Sequence, residues 1–154
     1  MRARPYVTAF LICERVLQEK DGVLSAIRII DVIGVPELSV DGGQQFFYQI
    51  CMLIVLKSGD FKGACRIALK GTRPSGKQMP IQQLTVALEG GNRGNNTIVQ
   101  ANMSFQEEGD YWFEVWLNDE FVTKTPLSVV LAPKKNEEPS AQEQPAHSPS
   151  PKAS

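Results

Sequence analysis

Between Thr97 and Leu131 the side chains alternate. Thr97, Val99, Ala101, Met103 and Phe105 fall on one side and Ile98, Gln100, Asn102 and Ser104 on the other. A period of two predicts a half-buried strand. Glu107-Glu108-Gly109-Asp110 then breaks the run, glycine supplying backbone angles that other residues avoid. Tyr111, Phe113, Val115 and Leu117 next oppose Trp112, Glu114 and Trp116. Asn118-Asp119-Glu120 predicts a tight turn, and Phe121 to Leu131 returns. These three strands read as the closing half of a β-sandwich.

Upstream, Pro5 to Val16 is rich in residues that favour a pleated surface. Asp21-Gly22, set between two apolar segments, predicts a hairpin turn, with the partner strand running from Val23 to Ile33. Ser39 to Gln44 is a polar loop. Phe46 to Leu56 is apolar on both faces, so this strand is expected to be central and covered, or to feed an interface. Turns at Lys57-Ser58-Gly59-Asp60 and Arg73-Pro74-Ser75-Gly76 bracket a strand near Lys62 to Lys70. Gln82 to Leu88 alternates again, and Gly90 to Asn96 reads as a flexible loop. The expected fold is an all-β antiparallel sandwich of eight or nine strands with no helix.

Gly109-Asp110-Tyr111, following the apolar strand end at Phe105, resembles the tyrosine corner of immunoglobulin-like domains. In those domains the tyrosine hydroxyl returns to the preceding backbone and fixes the crossing between sheets. The resemblance implies that Gly109 and Tyr111 form the corner and that Phe113 stands where antibody domains carry a disulfide cysteine. The chain departs from antibody domains there, and no tryptophan lies in the expected middle strand. A second resemblance covers most of the chain. Ile12-Cys13-Glu14, the Asp21-Gly22 turn, Val23 to Ile27, Tyr111-Trp112-Phe113 and Thr125-Pro126-Leu127 are similar to an uncharacterised family of bacterial β-sandwich proteins. That family has no assigned activity, so it implies a lineage and no mechanism.

Composition changes the picture at the C-terminal end. Residues 133–154 hold five prolines and no aromatic, valine, leucine, isoleucine or methionine. Such a segment buries too little apolar surface to offset its ordering entropy, so a disordered tail is expected after a domain spanning 1–132. The net charge is −1, which leaves no basic surplus to recruit nucleic acid or an anionic membrane. The longest apolar run, Ile50 to Leu56, is far below the ~20 residues of a membrane helix. The early run Tyr6 to Cys13 is cut short by Glu14 and Arg15 before a leader-like segment is complete. A cytoplasmic location is expected. Cys13, Cys51 and Cys65 form no Cys-x-x-Cys pair and sit in apolar runs, as small buried hydrophobes in a reducing compartment do.

Candidate chemistry is sparse. His147 is the sole histidine and lies in the tail, which removes histidine-based triads, Cys-His dyads and ordinary His-ligated zinc. Glu14 and Asp31 are acids in apolar strands, where burial can raise a carboxyl for acid–base work. Gly90-Gly91-Asn92-Arg93-Gly94 has the glycines and arginine of an anion cradle but leads into a strand rather than a helix N-terminus. Glu107, Glu108, Asp110, Glu114, Asp119 and Glu120 form an acidic run, read as a solvated edge rather than a calcium site.

No cofactor and no metal are therefore expected. Trp112 and Trp116 point outward if Tyr111 to Leu117 face inward, and the immunoglobulin-like order would set the two-faced Phe46–Leu56 strand beside them. Trp112, Trp116 and Glu114 are the candidate interface of a non-enzymatic module that pairs with a protein partner or with itself. The alternative is a small-molecule-binding or enzymatic sandwich using Glu14, Asp31 or the Gly90–Asn96 segment.

Overall fold

The computed structural model describes residues 3–36 and 46–131. Nine strands follow one another: β1 (Tyr6–Gln18), β2 (Leu24–Ile29), β3 (Val32–Val35), β4 (Phe46–Gly59), β5 (Gly63–Thr72), β6 (Gln78–Leu88), β7 (Gly91–Phe105), β8 (Gly109–Leu117) and β9 (Glu120–Leu131). They form two sheets, one of order β2-β1-β4-β7 and one of order β3-β9-β8-β5-β6. The chain is an all-β, immunoglobulin-like sandwich. Every strand pairing is antiparallel except β3 with β9, which is parallel. The predicted tail, residues 133–154, and the polar loop from Ser39 to Gln44 lie outside the described residues.

The alternation read in β7, β8 and β9 decides which side chains meet between the sheets. Val99, Met103 and Phe105 from β7 face Tyr111, Phe113, Val115 and Leu117 from β8 and Leu127 and Val129 from β9. Ile50, Met52, Ile54 and Leu56 of β4 fill the middle, and Cys65, Ile67 and Leu69 of β5 close the layer. Each large aliphatic or aromatic side chain so buried stabilises the fold by about 1.5–3 kcal/mol relative to exposure. Because β4 lies between β1 and β7, its second face is also largely covered, at Cys51 and Leu53.

Three expectations need correction. The strand expected over Val23–Ile33 is two strands. Arg28 takes a φ of 55°, unusual for a residue with a side chain, and the chain leaves the first sheet there. The Asp31 carbonyl then accepts the Ser128 amide at 3.0 Å as β3 joins the second sheet. The Gly90–Asn96 segment is not a loop: apart from Gly90 it forms the start of β7, with Asn96 opposite Val55 and Gly94 opposite Lys57. Glycine is needed at 94 because a Cβ there would lie 1.8 Å from the Leu56 carbonyl oxygen. Finally, β4 does not neighbour the tryptophan strand. The chain changes sheets between β4 and β5, so β8 sits between β5 and β9, in the opposite layer.

Candidate interaction surfaces

At the β7–β8 corner, Gly109 adopts a φ of 128°, and a Cβ on it would press within 3.1 Å of the Pro74 ring. This leads directly into Tyr111, which is fully buried and packs edge-on to Phe105 with ring centroids 5.0 Å apart. The Tyr111 hydroxyl donates to the Glu107 carbonyl and accepts from the Glu107 amide, both at 3.1 Å. A single phenol thus satisfies two main-chain groups at the bend.

The outer face of the five-stranded sheet is a ladder of alternating aromatic and charged groups. Trp112, Glu114 and Trp116 project from β8, each half-buried. Lys70 of β5 and Lys124 of β9 are the register partners of Glu114, one on each side. Their ammonium groups lie over the indoles: Lys70 Nζ is 4.0 Å from the Trp116 ring centre and Lys124 Nζ 4.5 Å from that of Trp112. Trp116 Nε1 donates to Glu114 Oε2 at 2.8 Å, and Phe121 meets the same indole edge-on at 5.7 Å. Each tryptophan therefore has partners for its ring face, and Trp116 also for its polar edge.

The outer face of the four-stranded sheet is built differently. The registers set Ile29, Cys13, Cys51 and Gln100 in one row across β2, β1, β4 and β7, and Leu11, Leu53 and Ile98 in the next. Ala9 and Val55 follow, with Asn96 at the end of their row. Leu53, Cys13 and Cys51 are buried by their neighbours, whereas Ile29 remains 58% and Ile98 39% exposed. At the margins of this set stand the cationic Lys57 and, beside Glu14 in a hollow shared with Cys51 and Gln100, Arg15. Burial, and then the neighbouring Cys51, pushes the Cys13 thiol up, partly offset by the Arg15 main chain.

Of the residues proposed for the alternative reading, Glu14 and Asp31 share Tyr48 and Arg28 as neighbours, whereas the Gly90–Asn96 segment lies at the other end of β4. The Glu14 carboxylate receives Arg28 Nε at 2.9 Å and the Tyr48 hydroxyl at 3.3 Å. Burial, and then the Glu14 charge, pushes the Tyr48 phenol up. Asp31 is exposed at the crossover between β2 and β3, lining a shallow hollow with Ile33 and Tyr48. Arg93 is engaged by Glu89 at 2.7 Å.

The acidic run is also dispersed. Glu107 takes the Ser75 amide and hydroxyl, Asp110 the Ser128 hydroxyl, Asp119 the Arg66 guanidinium and Glu120 that of Arg4. Among the described residues no three His, Cys, Asp or Glu side chains are grouped to hold a metal ion. No helix among them is long and apolar enough to cross a membrane.

Leu11, Ile29 and Ile98 carry no sequence signal of their own beyond the second apolar face of β4, Cys51-Leu53-Val55, which lies on this face and not beside the tryptophans.

Among solved structures, the chain is similar to a CARDB domain from Pyrococcus furiosus crystallised with di-metal ions. The TM-score is 0.45 and the identity 15%, over 86% of this chain and 99% of that one. It is also similar to an immunoglobulin-like protein from Pseudomonas aeruginosa, with a TM-score of 0.45 and 11% identity over 83% of this chain and 98% of the other. An alkylpurine DNA glycosylase from Pseudomonas fluorescens, bound to DNA containing an abasic-site analogue, matches with a TM-score of 0.43 and 11% identity. That match covers 82% of this chain and 30% of the glycosylase. No curated protein matches the sequence. Residues 8–130 match the model of a family of unknown function (DUF6941), and the chain belongs to that family.

Proposed function

We propose that this chain is a non-enzymatic interaction module that binds a protein partner through the outer face of its four-stranded sheet. The observation that carries the reading is the apolar row Leu11-Leu53-Ile98 with Ile29, Ala9 and Val55 around it, left open to solvent at Ile29 and Ile98. Exposed isoleucines flanking an apolar row are costly in water, and such groups commonly serve as contact points of an interface. Arg15 and Lys57 at its margins favour a partner with an apolar patch bordered by carboxylates. The engagement of Glu14 by Arg28 and Tyr48, and the strand formed by the Gly90–Asn96 segment, support a binding role over catalysis.

The tryptophan ladder of Trp112, Glu114 and Trp116 is the rival surface, and the test separates the two. A photo-crosslinking amino acid is placed at position 29 in one full-length chain and at position 116 in another, and both are irradiated in the native cell. A discrete protein adduct from position 29 alone, whose purified partner loses binding to the Leu11→Ser/Ile29→Ser variant, is the expected result. An adduct from position 116 alone moves the interface to the tryptophans and overturns the proposed face. No adduct from either position overturns the interaction reading itself.

A further inference from the structure

Four strands bound the two sheets: β2 and β7 in one, β3 and β6 in the other. An edge strand offers unpaired amides and carbonyls to any other strand, and proteins blunt that template with shortness, proline, bulges or charge. Three of these edges are blunted. β2 has six residues and β3 four, while β6 carries Pro80 beside a register shift in its pairing with β5. β7 is different. It is 15 residues long and keeps one register against β4 from Phe105 to Gly94. It has no proline, and Arg93 is its sole charged side chain.

The hydrogen-bond pattern shows which β7 groups are free. The Ile30 amide donates to the Ile12 carbonyl, so Ile12 directs its main chain toward β2 and Cys13 toward β4. Direction alternates residue by residue along an antiparallel strand. Carried through the pairs Cys13–Cys51 and Cys51–Gln100, the alternation turns Thr97, Val99 and Ala101 toward β4. Asn96, Ile98, Gln100 and Asn102 therefore present their amides and carbonyls away from β4. Among the described residues no strand pairs with them.

We infer that this edge pairs antiparallel with β7 of a second copy, giving one eight-stranded sheet across a two-fold axis. This goes beyond the partner-binding face and does not depend on it. A two-fold interface sets a surface against itself, so the side chains near the axis must tolerate their own kind. Like charges directly opposite one another repel. The amides of Asn96, Gln100 and Asn102 both donate and accept, and are therefore self-complementary. Arg93 lies toward the N-terminal end of β7, away from this stretch. Pairing in this way satisfies the free main-chain groups and brings the two apolar outer faces side by side.

Sedimentation of the full-length chain over a range of concentrations tests the inference. The wild type should reach twice the 17.0 kDa of one chain. Gln100→Pro removes an amide that faces the free edge and none that bonds β4, so it should sediment as a single chain that still unfolds cooperatively, at a melting temperature no longer dependent on concentration. Should the proline disturb folding, a second pair of variants decides. Asn96, Gln100 and Asn102 all replaced by Lys, or all by Glu, should each give single chains, and an equimolar mixture should restore the dimer. A wild type that stays a single chain at every concentration overturns the inference. So does a dimer that persists in a folded Gln100→Pro variant, or a Lys/Glu mixture that fails to associate.

Discussion

The two outer faces of this sandwich both carry apolar side chains and treat them in opposite ways. On the five-stranded sheet, Trp112 and Trp116 lie beneath the ammonium groups of Lys124 and Lys70, with Glu114 between them. On the four-stranded sheet, Ile29 and Ile98 stand open beside Leu11 and Leu53. Size of side chain therefore does not decide which apolar groups stay exposed. What differs is whether the neighbouring strands supply long charged side chains to lie over the apolar groups. Lysine does this well, because its stem packs against a ring while its ammonium stays in water.

The largest expected effect tests whether the ladder is knit into its own sheet. Trp112→Ser with Trp116→Ser should lower stability by about 3 kcal/mol in denaturant unfolding, since two half-buried indoles and their lysine contacts are lost. Partner binding through the other face should be unchanged. A double variant that melts normally but loses its partner would exchange the roles of the two faces.

Tyr111→Phe should cost about 1–2 kcal/mol by thermal melting, because the Glu107 amide and carbonyl lose their shared partner. It alters neither face, and so provides a loss of stability against which changes in binding can be judged. Leu11→Ser with Ile29→Ser should cost only about 1 kcal/mol, since Ile29 is mostly exposed already. Its binding defect should nevertheless be the largest of the set, measured as loss of complex with the purified partner.

The smallest effect concerns pH. Cys13 on the outer face, Cys65 in the core and Tyr48 near Glu14 all have folded values raised above their ordinary 9.0, 9.0 and 10.0. Each is an acid whose ionised form the fold disfavours. Its contribution is complete below the unfolded value and is lost as pH rises through the folded one. Urea midpoints should therefore fall from about pH 9 upward, and Cys65→Ala should flatten part of that fall. A bound partner that covers the outer face should steepen the part due to Cys13 and leave that of Cys65 alone.

Much of this was legible in the alternation itself. From Thr97 to Leu131 a period of two gave the inward side chains of β7 and β8 and the outward direction of both tryptophans, whereas the corner position of Tyr111 came from the resemblance to immunoglobulin-like domains. Asn118 and Asp119, with φ of 48° and 65°, form the two-residue turn that their chemistry suggests. The break between β2 and β3 was hidden, because Ile29-Ile30-Asp31-Val32-Ile33 reads as one apolar run and Arg28 gives no sign of a left-handed backbone. The start of β7 was hidden for the opposite reason. Glycine and asparagine predict a loop, whereas the ladder to β4 uses main-chain groups and, at Gly94, needs the absence of a side chain. The location of the open face depended on which strands neighbour β4. No local pattern encodes that, since it is decided where the chain crosses between layers.

The parallel pairing of β3 with β9 has a consequence in time. Val32 meets Ser128 and Val35 meets Leu131, the pairings most distant in sequence within the described fold. Ile33 and Val35 are core residues whose strand partner is the last strand of the described chain. Contacts that close long stretches of chain form late and slow the search. The hairpins β5–β6 and β8–β9 can assemble early. Ile33→Val should accordingly speed unfolding while leaving the refolding rate nearly untouched, so that this four-residue strand acts as the latch that sets how long the folded state lasts.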